Sequence, residues 1–81
     1  MNYTQLQLLL QNDELHYLSD DNGSSTPETI QQHTDILNQP PTFILYEYTI
    51  HDFTHTRNTL RHNNIKHSVY TDQYDMDYIM I

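Results

Sequence analysis

Four histidines, His51, His55, His62 and His67, fall within "IHDFTHTRNTLRHNNIKH" (50–67). Shortly after, "TDQYDMDYIM" (71–80) sets Asp72, Asp75 and Asp77 among Tyr74 and Tyr78. Imidazoles can hold a metal ion or change charge near neutral pH. Carboxylates among tyrosines can take a cation, share a proton, or pair with arginines of another protein.

Spacing decides among these chemistries. A helix begun near Asp52 and stepped at 100° per residue brings His51, His55 and His62 within about 40° of one another, with Phe53 and Leu60 about 180–200° round. The apolar side must face a core, so the histidine stripe should face water. His55 and His62 lie ~10.5 Å apart along the axis, whereas zinc holds nitrogen ligands at about 2.1 Å. His51 and His55 are thus the only pair on the helix that could share an ion, and they are weak candidates for a metal site. Their spacing is that of the helical half of a zinc-protease motif, but Asp52 stands where that motif has Glu, and no third ligand is evident.

The aspartates fare differently. A calcium loop of the EF-hand kind needs a turn glycine and a closing glutamate, and both are missing here. Asp75 and Asp77 are expected on one strand face about 7 Å apart, as an acid/base pair might be. No glycine loop or apolar enclosure accompanies them, so no enzyme and no cofactor are expected. Interface chemistry remains, since tyrosines anchor interfaces and carboxylates pair with arginine. The expected partner-binding residues are Asp72, Tyr74, Asp75, Asp77 and Tyr78, with Glu47 second.

Charge sharpens that reading. The chain of 81 residues has 11 acids and only three bases, giving a formal charge of −8. All three bases, Arg57, Arg61 and Lys66, lie in one short segment. Direct binding to nucleic acid or to an anionic membrane is not expected, since both rest on Lys and Arg. A basic protein surface, such as a nucleic-acid-binding groove, should attract this chain. Protonating all six histidines would add six charges to −8 and leave −2. Gly occurs once, which rules out glycine-rich phosphate loops, and Cys is absent, which rules out disulfides and thiolate metal sites. The N-terminal stretch has no basic region of a signal peptide, and no run nears ~20 apolar residues, so the protein is expected to be cytoplasmic.

The elements that must position these groups follow from periodicity. Tyr3, Leu6, Leu9 and Leu10 recur at helical spacing over 3–12. "ELHYL" (14–18) reads as a short strand and 19–25 as a loop. Ser25-Thr26-Pro27-Glu28 opens a second helix running to about Asn38, where Pro40-Pro41 stops it. "TFILYEYTI" (42–50) is the strongest strand, with Ile44, Tyr46, Tyr48 and Ile50 on one face and Phe43 and Leu45 on the other. Thr49-Ile50-His51-Asp52 forms another capping box, opening a third helix that fades at Asn63-Asn64. Residues 65–71 and 75–81 form an antiparallel hairpin. The result is one small α+β domain spanning 1–81, ordered α-β-α-β-α-β-β. It has a mixed sheet of three or four strands, helices on one face, and a βαβ unit over 42–71 if its two strands are parallel.

The leading expectation is a non-enzymatic acidic domain that occupies a basic surface of a partner protein. A small phage or mobile-element inhibitor imitating nucleic-acid charge would fit that size and sign. Two alternatives stand beside it. One is a metal- or pH-responsive regulatory module using the histidine-bearing helix. The other is a self-associating homodimer that pairs an exposed C-terminal edge, "YIMI".

Overall fold

A computed structural model describes residues 2–11, 13–20, 27–47, 50 and 52–81. The elements are α1 (Tyr3–Leu9), β1 (Leu15–Tyr17), a 3-10 turn (Leu18–Asp20), α2 (Pro27–Leu37), β2 (Phe43–Tyr46), α3 (Phe53–His62), β3 (Ser68–Thr71) and β4 (Asp77–Met80). The expected α+β order and the C-terminal hairpin are both present.

Local chemistry explains the boundaries. Asn2 caps α1 by accepting from the Gln5 N–H at 2.9 Å, while Gln5 accepts from the Asn2 N–H at 3.1 Å. α1 ends sooner than periodicity suggests, because the Gln7 amide donates to the Asp13 carbonyl at 2.9 Å and folds the chain back. Pro27 opens α2; Ser25 and Thr26 of the expected capping box lie outside the described residues. Asp52 caps α3 by accepting from the His55 N–H at 3.0 Å. At its far end, the Ile65 N–H reaches the Leu60 carbonyl at 2.9 Å and the Asn64 N–H reaches Arg61 at 3.0 Å. This is a Schellman close with Asn64 left-handed at φ 55°. Asn38 and Asp75 also take positive φ. Asn and Asp fill left-handed positions in a chain with a single glycine.

The four strands form one sheet in the order β1-β2-β4-β3, and every neighbouring pair is antiparallel. The sheet is therefore antiparallel rather than mixed. β2 and β3 do run in the same direction across α3, but β4 is inserted between them, so the βαβ unit is split. Hydrophobicity accounts for the insertion. Tyr78, Ile79 and Met80 are buried in succession, as are Phe43, Ile44 and Leu45, and strands apolar on both faces belong in the interior. "YIMI" is thus no exposed edge: β2 and β3 occupy both of its sides, which removes the expected route to self-association.

Helices cover both faces rather than one. On the first face, Leu6 and Leu10 at α1 and Leu60 of α3 pack on Leu15, Phe43, Leu45 and Ile79. Ile50 joins this cluster, opposite to its expected side, because the strand ends at Tyr46. Tyr48 lies outside the described residues. On the second face, Ile44, Tyr78 and Met80 pack with Leu18, Tyr46, Tyr70 and Met76. α2 sits there over β3, with the His33 ring bonded to the Ser68 hydroxyl and edge-on to Tyr70.

Candidate partner-binding face

Alternation along the strands builds a row of rings across the second face. Register aligns Tyr46 with Tyr78 and Tyr78 with Tyr70. Tyr46 and Tyr78 meet edge to face at 5.6 Å, and Tyr78 and Tyr70 stack at 5.9 Å. His16 of β1 extends the row beyond Tyr46 at 5.0 Å, and His33 of α2 ends it beyond Tyr70 at 5.8 Å. Such cross-strand aromatic pairs are worth about 0.5–1.5 kcal/mol each beyond their burial. Tyr46, Tyr70 and His16 remain half-exposed, while Tyr78 is buried.

The hairpin is organised by Asp72. Its carboxylate accepts from the Tyr78 hydroxyl at 2.6 Å and from the N–H groups of Tyr74 and Met76 at 2.8 and 3.0 Å. The Tyr78 hydroxyl, chiefly, and the Met76 and Tyr74 N–H groups hold the Asp72 carboxyl below its ordinary range, against an opposing push from burial. Asp77 accepts from the Thr71 hydroxyl, and its own N–H donates to Glu47 at 3.0 Å. Asp75 occupies the turn at φ 60°, not the strand, so it does not share a strand face with Asp77. Tyr74 at the tip is 80 % exposed.

The six expected binding residues therefore gather at one end of the sheet but divide by role. Asp72 and Tyr78 are bonded to each other, and Glu47 and Asp77 brace the strand start. Tyr74 and Asp75 project from the turn. Register adds Glu14 to this end, since it precedes β1 where Leu15 pairs with Leu45. Glu14 lies 3.8 Å from the His16 ring. The bases lie elsewhere. Arg57 and Arg61 ride on α3 behind the other face, and Lys66 sits before β3 near Ile81, at the opposite end.

Of the histidines on the opening stretch, His55 and His62 are exposed on α3, opposite the buried Leu60, as the helical spacing predicts. His51 lies outside the described residues. His67 turns back on its own loop, with Nδ1 3.0 Å from the Ile65 carbonyl. His55 and Asp52 share a cleft with Asp13 and Thr56 between α1 and α3. There Asp13 accepts from the Thr56 hydroxyl, and Asp52 is engaged as the helix cap. Among the described residues no three of His, Asp or Glu are grouped so as to hold a metal ion.

Periodicity places His33 on the apolar side of α2 but cannot show its partner, which comes from β3. Glu14 and the ends of the ring row were equally hidden, because only the strand order brings them together. Among the described residues no helix is long and apolar enough to cross a membrane. No family model, curated protein or solved structure matches the chain.

Proposed function

We propose that this chain is a non-enzymatic binding domain whose acid-rimmed tyrosine face occupies a basic, arginine-bearing surface of a partner protein. One observation carries the reading: Glu14, Glu47, Asp72, Asp75 and Asp77 share one end of the sheet with the half-exposed ring row, while Arg57, Arg61 and Lys66 lie behind it or at the far end. An arginine laid on Tyr46 or Tyr70 gains cation–π attraction, and a neighbouring carboxylate adds a charge-assisted hydrogen bond. Lysine, a compact and strongly hydrated charge, stacks less well.

The test is an NMR titration of the labelled protein with an oligo-arginine peptide and with oligo-lysine of equal length. Shifts should map to residues 46–47 and 70–78, arginine should bind more tightly than lysine, and affinity should fall as salt screens the charges. Shifts confined to α1 and α3, or none at all, would reject the proposal.

A further inference from the structure

We infer that His33 is an acid-released latch: neutral, it holds α2 on the tyrosine face, and protonated, it lets the helix go. The site is built from three observations. The residue is only 3 % exposed, on the buried side of α2 beside Thr29 and Leu37. Its Nδ1 is bonded to the Ser68 hydroxyl of β3. Its Nε2 is buried with no hydrogen-bond partner among the described residues.

That arrangement suits a neutral ring and not a charged one. A neutral imidazole can leave one nitrogen as an unused acceptor at modest cost. An imidazolium has two donors and a positive charge, and one donor would be buried with no acceptor among the described residues to receive it. The groups facing it offer little relief. From β3 come Ser68 and the Tyr70 ring, set at right angles to the imidazole, and neither is a carboxylate. From β4, one ring further along the row, comes Tyr78, whose hydroxyl is given to Asp72. On α2 itself Glu28 and Asp35 are exposed, and Asp35 accepts from Gln31. Desolvation accordingly pushes the His33 ring below its ordinary value of 6.5.

The sign follows from linkage. A depressed histidine binds its proton more readily in the undocked chain. Its contribution to docking is therefore complete above 6.5 and is lost as pH falls through that value toward the folded one. α2 makes its main sheet contact with β3, the edge strand, whereas β2 and β4 are paired on both sides. Undocking can thus proceed without dissolving the central strands, and it uncovers Tyr70. The latch regulates the face on which the proposed function rests, yet it can be tested with the protein alone.

The experiment follows the His33 ring resonances by NMR from pH 8 to pH 4.5, with hydrogen exchange of α2 and β4 amides over the same range. His33 should titrate below 6.5. Exchange in α2, corrected for its intrinsic pH dependence, should accelerate about tenfold relative to β4 for each unit by which pH passes below that value, until the folded value is reached. His33→Asn, which can keep the Ser68 contact but cannot take up the proton, should remove the acceleration. If that variant does not fold, the wild-type titration still decides. A His33 ring that titrates at its ordinary value, or α2 exchange that tracks β4 throughout, overturns the latch whether or not any basic peptide binds.

Discussion

The two faces of this sheet are built from the same strands and differ in what they bury. On the first, Leu, Phe and Ile from α1, α3 and three strands make the larger apolar core, with the rings of Tyr3, Tyr17 and Phe43 clustered at its side. On the second, a smaller cluster of Ile44, Tyr78 and Met80 packs among Leu18, Tyr46, Tyr70 and Met76, with the polar His33 and Ser68 buried beside it. The first face carries most of the apolar burial and therefore most of the stability. The second invests in orientation, aligning rings and fixing a turn. A chain this short can support one thorough core and no more, so the remaining face is left half wet.

That contrast can be broken most severely at the first face. Leu60→Ala should cost about 2–5 kcal/mol, a large part of the stability of a small domain, and urea unfolding would show the midpoint collapse. Loss of under 1 kcal/mol would mean α3 is not the anchor described. On the second face, Tyr78→Phe should destabilise less and act through the hairpin. It removes the main bond holding the Asp72 carboxyl low. The contribution of that carboxyl is present above its ordinary value of 3.8 and lost as pH falls through that range. Unfolding midpoints at pH 7 and pH 3 should therefore differ less in Tyr78→Phe than in wild type; an unchanged difference would assign the acid sensitivity elsewhere.

Further out on the same face, Tyr74→Ala and Asp75→Asn should leave stability within about 0.5 kcal/mol of wild type. Each should weaken oligo-arginine binding about fivefold, as interface anchors do. Equal affinity would exclude the hairpin tip from the interface. Asp72→Asn is a poor probe of binding, because it also loosens the turn. The smallest effect is expected from His55→Ala. Its ring is exposed, and only its backbone N–H is used for the cap. Calorimetry should find stability within about 0.5 kcal/mol of wild type and no change in zinc uptake; loss of a stoichiometric zinc signal would revive the metal reading.

What could be read from the sequence was local. Leu60 against His55 and His62, Pro27 at a helix start and the hairpin at the end all follow from spacing of 3.6 or 2. What could not be read was the order of strands. "YIMI" reads equally as an exposed edge or an interior strand, and only packing on both faces decides. The error at Ile50 has a similar origin, since alternation holds only while the strand lasts, and it ends at Tyr46. The acidic candidates were found by type but not by role. Nothing in "TDQYDMDY" says that Asp72 turns inward to Tyr78 while Asp75 turns out.

The insertion of β4 between β2 and β3 also sets an order of events. β3 and β4 are joined by a tight turn and can pair early, whereas β1 and β2 are separated by all of α2 and meet only after a long loop closes. β2 has no partner on its inner side until the hairpin exists to receive it. Assembly should therefore begin with the acidic hairpin and end with β1, with the distant docking of β2 as the slow step. Kinetic φ-values high at Val69 and low at Leu15 would record that sequence, and the reverse pattern would place β1 and β2 first. The segment proposed to meet a partner would then be the segment on which the rest of the sheet is templated.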